Sequence, residues 1–174
     1  GGCDHFLYTL NLADGKPLTK VEGEAPIVST VGTEGGFVAW GDHSTKVMGA
    51  DLASGELEWK YSDRKFPFMA APAVDKKNVY IGGRDKKIHA ISRESGDAVW
   101  RFKTGGRVES SPILFTDGVV CGSSDGRLYA IDLKNGDEVW KIDLGESLVA
   151  AASYAKGTIL VGSEDGTLFA LGKK

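Results

Sequence analysis

The sequence predicts an all-β chain: a β-propeller of four-stranded antiparallel blades, forming a partial ring of about four blades cut from a larger propeller. Three observations lead there. A pattern of 19 residues starting at Gly41, Gly82 and Gly122 aligns with itself without gaps and sets Trp59, Trp100 and Trp140 41 and 40 residues apart. Its first glycine recurs at Gly1 and Gly162, and a later turn glycine at Gly15, Gly55, Gly96 and Gly136. Between these glycines, short apolar or alternating runs carry no sustained helical period, the pattern of strands joined by turns. A period of roughly 40 residues holding four strands marks a propeller blade, because one such meander cannot bury both faces and must stack on its neighbours.

The best-preserved unit gives each element in order. Ser110–Phe115 reads as a first strand, Asp117-Gly118 as a turn and Val119–Gly122 as a second strand. After a turn at Asp125-Gly126 come a third strand at Arg127–Leu133, a turn at Asn135-Gly136 and a fourth strand at Glu138–Ile142. The Asn-Gly and Asp-Gly pairs predict two-residue type I′ hairpins, which need positive φ at both central positions. Repeating the unit divides the chain into a part-blade at 1–24, blades at about 25–63, 64–105 and 106–145, and a part-blade at 146–174. The tryptophan near the start of each outer strand is placed to cover the next blade, with glycines leaving it room. Trp59, Trp100 and Trp140, with Gly55, Gly96, Gly136, Gly82, Gly122 and Gly162, are therefore read as residues of the structural repeat. The two ends supply five strands where one blade needs four. The C-terminal half of a larger propeller is the first expectation, and two halves joining into one ring the second.

A net charge of -3 with scattered carriers offers no basic stripe for nucleic acid, and no apolar run approaches the roughly 20 residues that span a bilayer. The first residues lack the layout of a signal peptide. Cys3 and Cys121 lie far apart, which implies no disulfide framework, and Cys121 in its apolar run reads as a small buried residue.

The string Ser123–Trp140, with its matches along the whole chain, resembles the pyrroloquinoline-quinone (PQQ) repeat, or tryptophan-docking, blade. The resemblance implies quinoprotein dehydrogenases, BamB-type assembly scaffolds and other extracytoplasmic repeat proteins as relatives. It suggests a periplasmic or extracytoplasmic setting and protein partners, among them a missing propeller half or a second copy. No residue cluster matches a quinoprotein's ligand set, so no catalytic, cofactor or metal residue is assigned. The chain is read as a non-catalytic BamB-like scaffold, with a fragment of a quinoprotein oxidoreductase and a ligand-sensing module of a signalling protein as alternatives.

The channel-lining segments Ile27–Thr30, Met69–Ala71, Ser110–Ser111 and Val149–Ala151 are small or apolar, and Glu109 beside them reads as a solvated residue at the channel mouth. His89, at the place held by Tyr129 and Phe169 in other blades, reads as a packing residue. The recurring Asp4, Asp85, Asp125 and Asp165 read as turn residues rather than ion ligands. The mixed charges at Arg84–Lys87 and Asp63–Lys65 read as solvated tips. Trp40 is extra to the repeat and expected to be buried. Arg64, Lys65, Phe66 and Phe68, which interrupt the repeat between blades, form a candidate partner surface.

Overall fold

The computed structural model describes residues 1–63, 65–116 and 118–172. Arg64, Asp117 and the last two lysines lie outside the described residues. Strands β1 (Phe6–Leu10) and β2 (Pro17–Glu22) form a hairpin. Next comes a four-stranded meander of β3 (Gly32–Glu34), β4 (Phe37–Gly41), β5 (Val47–Asp51) and β6 (Leu57–Tyr61). A second meander holds β7 (Ala73–Val74), β8 (Asn78–Gly83), β9 (Lys87–Ser92) and β10 (Ala98–Lys103). The third holds β11 (Ile113–Phe115), β12 (Gly118–Gly122), β13 (Arg127–Asp132) and β14 (Glu138–Asp143). The chain ends on a three-stranded sheet of β15 (Ser153–Ala155), β16 (Thr158–Gly162) and β17 (Leu168–Gly172). Every pairing is antiparallel, no helix occurs among the described residues, and the first and last sheets are separate, so the ring is open.

The core lies between blades, where stacking removes apolar faces from water. β4, β5, β8, β9, β12 and β13 are buried along nearly their whole length, while the outer strand β14 is largely exposed. Residues from adjoining sheets share each cluster: Phe37, Val47 and Trp59 pack with Val79, Ile81 and Ile91. Trp40, fully buried, packs with Leu7, Val21 and Ile27 where the hairpin meets the next blade. Cys121 is buried too, and burial pushes its thiol up to about 12, which makes it an inert packing group.

Two local expectations are corrected. The inner strands start later than the sequence suggests, because Pro72 and Pro112 have no N–H for the ladder and β7 and β11 begin just beyond them. The segments assigned to the channel strands are therefore irregular approaches to those strands. The turns joining third to fourth strands are also longer than two residues, whereas first and second strands are joined by two-residue turns with both φ positive at Gly35-Gly36 and Lys156-Gly157. In the turn 133–136, Gly136 donates to Asp132 O, Asp132 Oδ1 accepts from the Lys134 and Asn135 amides, and Gly136 alone takes positive φ (+76°). The aspartate, not Asn135, organises the loop, and the glycine supplies its left-handed position.

Every outer strand also carries a β-bulge. Pairing skips Glu58 before Trp59, Val99 before Trp100 and Val139 before Trp140, and it skips Leu18 before Thr19 in the hairpin. An extra residue bends the strand and re-aims the next side chain. The tryptophan is thereby turned onto the neighbouring blade, while Val99 and Val139 are left 46% and 60% exposed.

Candidate interaction surface and buried polar network

Two seams show how the repeat residues work together. The Trp59 ring covers Gly96, where an added Cβ would lie 2.8 Å from the ring, and Nε1–H donates to Arg93 O at 2.8 Å. Trp100 treats Gly136 and Leu133 O in the same way, at 2.7 Å and 3.0 Å. The inner glycines serve a different contact: Gly82 leaves room for Val108 and Gly122 for Leu148, each from the following blade. Trp140 is only partly buried, Gly55 faces Thr19 instead of a tryptophan, and Gly162 meets almost nothing.

Between the first two complete blades lies a polar network that sequence reasoning did not assemble. His89 is fully buried, with Nε2 3.1 Å from Asp85 Oδ1 and Nδ1 2.9 Å from Tyr61 Oη. Because a carboxylate only accepts, Nε2 carries the proton, and in the neutral ring Nδ1 accepts from the Tyr61 hydroxyl. Phe68 and Tyr61 pack edge-on against the imidazole. Lys87 Nζ lies 2.5 Å from Asp63 Oδ2 and 3.3 Å from Asp85 Oδ2. Arg101 Nε sits 3.2 Å from both Asp63 Oδ2 and Tyr61 Oη. Burial pushes the Asp85 carboxyl up, but the His89 hydrogen bond and Lys87 outweigh it and hold it below its ordinary value. Asp63 is also lowered: against its burial stand Lys87 first and Arg101 next.

The potential ligand atoms of Asp63, Asp85 and His89 all lie within 4.8 Å of one another, the one such group among the described residues. Two carboxylates face one ammonium and one guanidinium, so a divalent cation would compete with Lys87, while the buried Asp85 Oδ2 makes no hydrogen bond and meets Lys87 only at ion-pair distance. Asp63 and Lys87 are thus mostly buried partners, not solvated tips. The signal lay in the repeat, since Asp85 and His89 stand where Asp125 accepts from the Tyr129 hydroxyl at 2.6 Å. Asp4 and Asp165 likewise cap their own turns. Glu109 is not free either, because Arg84 Nε donates to its carboxylate and the group is half-buried.

The candidate partner surface divides. Lys65 is exposed and Phe66 is 46% exposed, on the linker beside this network. Phe68 is 2% exposed and belongs to the core, which removes it from any surface. Its backbone also closes over Gly41, 2.4 Å from where a Cβ would stand.

Comparison with known proteins places this geometry. BamB of Moraxella catarrhalis superposes with a TM-score of 0.82 at 22% identity, over 91% of this chain and 50% of that one. The computationally designed Ika8 protein gives 0.88 at 18% identity, over 99% of this chain and 54% of that one. The designed Ika4 protein gives 0.81 at 17% identity, over 91% and 98%. Quinoprotein ethanol dehydrogenase of Pseudomonas putida is 30% identical over 73 residues, which are 41% of this chain and 12% of that enzyme. The chain therefore spans a small part of that curated relative and about half of the BamB chain. Residues 4–147 and 62–174 both match the family described as outer membrane protein assembly factor BamB, and the chain belongs to that family of PQQ-like propellers.

Proposed function

We propose that the chain is a non-catalytic propeller segment that holds other proteins in an extracytoplasmic assembly, as the description of its family suggests. The observation that carries this reading is the charge balance of the Asp63–Asp85–His89 group. Its carboxylates are neutralised by Lys87 and Arg101, and His89 is locked between Tyr61 and Asp85. Catalysis needs a group with protonation or coordination capacity left for a substrate, and this network turns most of that capacity inward, Asp85 Oδ2 alone being left without a hydrogen bond. On the surface beside it, the linker exposes Phe66 next to Lys65, and an exposed aromatic ring is a residue type enriched where proteins meet.

A second reading, a fragment of a quinoprotein oxidoreductase, is favoured by the 73-residue match to the ethanol dehydrogenase. Titration with PQQ, with and without calcium, separates the two through the fluorescence of the four tryptophans. The scaffold reading expects no saturable quenching. Calcium-dependent quenching that saturates near one equivalent overturns it and puts the oxidoreductase first.

A further inference from the structure

At the seam between the first two complete blades, three positions leave the repeat together. Arg93 stands where the other units carry Leu12, Leu52 and Leu133, and Glu58 stands where they carry Leu18, Val99 and Val139. Phe37 stands where they carry Asn78, Gly118 and Thr158. Stacking of blades does not call for these changes, since the other units pack without them. All three residues line one open cleft of about 910 Å³. The cleft lies at the end of the blades that holds the β3–β4 and β5–β6 turns, opposite the linker that bears Lys65 and Phe66.

The two walls of the cleft differ in charge. Asp51 and Glu58 of the first complete blade form one wall. Lys76, Lys77 and Arg93 of the next blade form the other, with Glu94 beside them. Among the described residues, no ion pair joins one wall to the other. Arg93 is held by packing instead: its guanidinium carbon lies 4.7 Å from the centroid of the Phe37 ring. Its Nη1 and Nη2 reach Asp75 O and Gly35 O, each at a long 3.5 Å. Neither carbonyl neutralises the charge, and the planar fork keeps N–H donors for a carboxylate. A cation fixed in this way has already lost freedom that binding would otherwise remove.

An extended chain points successive side chains to opposite faces. Alternating acidic and basic residues therefore put every carboxylate on one face and every cation on the other, which complements the two walls. We propose that the cleft holds an extended segment of a partner protein in which acidic and basic residues alternate. Its carboxylates meet Arg93 and the two lysines, and its cations meet Asp51 and Glu58. The site rests on the reading of the chain as a holder of proteins, and it names the chemistry of one segment held. Exposed ion pairs contribute little singly, so binding depends on several forming at once and weakens with salt.

Titration of the isotope-labelled chain with a blocked hexapeptide of alternating glutamate and lysine, up to about 5 mM at low salt, tests this through backbone amide shifts. Saturable shifts are expected around Gly35, Lys76, Lys77 and Arg93. Arg93→Leu and Glu58→Val, which install the residues of the other units, are each expected to weaken binding about fivefold or more. Blocked peptides of glutamate alone or lysine alone are expected to bind more weakly by a similar factor. The absence of saturable shifts in the cleft overturns the proposal, as does equal binding by both variants or by either single-charge peptide. Free glutamate and free lysine shifting the cleft as strongly as the peptide would overturn it too, making the ligand a small zwitterion. Failure here without PQQ quenching leaves the scaffold reading standing, whereas saturable PQQ quenching removes that reading whether or not the peptide binds.

Discussion

Thr45 and Lys86 hold φ of +76° and +66° at the turn position that Gly126 and Gly166 fill in later blades. A left-handed backbone costs an L-residue roughly 1–2 kcal/mol, and a β-branched side chain is the least suited to it. Thr45→Gly is therefore expected to stabilise by about 0.5–1 kcal/mol once the extra entropy of unfolded glycine is subtracted, seen as a higher urea midpoint. The reverse change, Gly126→Thr, should destabilise, since its Cβ would meet the Gly145 backbone at 2.9 Å. The buried network sets a second residue-scale expectation. The Asp63 and Asp85 carboxyls lie below their ordinary values, so the unfolded chain binds protons first on acidification. Their stabilisation is present above the unfolded carboxylate pKa of about 4 and is lost as pH falls through the lowered folded values. Urea midpoints taken from neutral pH downward should hold until that range and then fall. Asp63→Asn should cost about 1.5–3 kcal/mol at neutral pH and flatten the acid limb, because the ion pairs to Lys87 and Arg101 are already gone. An unchanged acid limb would show that the network carries no linkage.

Elements of one blade are held to the next by the bulge-directed tryptophan, which makes the outer strand an inter-blade clamp. Trp100→Ala should cost about 3–5 kcal/mol, since the ring is 8% exposed and its N–H satisfies Leu133 O. The linker separates two neighbouring aromatics just as sharply. Phe68→Ala should cost a similar amount, whereas Phe66→Ala should stay within about 0.5 kcal/mol, and comparing their thermal midpoints checks the division. Strand number and order in each blade were legible because spacing and turn chemistry repeat in the sequence. The bulges were not, because the skipped residues Glu58, Val99 and Val139 share no chemistry and only pairing register exposes them. Phe68 looked like part of an irregular exposed run, yet its contacts are with Tyr61 and His89, seven residues before and 21 after it in the chain. The polar network was hidden for the same reason: its members come from three strands, a turn and a linker, and no local window holds all of them together. What sequence did offer was equivalence between blades, which pairs Asp85–His89 with Asp125–Tyr129.

At the scale of the whole molecule, each blade touches only its neighbours, so stability is the sum of blade terms and seam terms along a line. Inner blades have two seams and the terminal sheets have one. Burial follows that count: β8, β9, β12 and β13 are nearly sealed, while β17 alternates between exposed and half-buried. In a repeat array the weakest seams open first, and amide exchange reports the opening free energy segment by segment. Hydrogen exchange of dilute protein should therefore be slowest in β8, β9, β12 and β13 and fastest in β16 and β17, with the β1–β2 hairpin between because Leu7 and Val21 pack on the next blade.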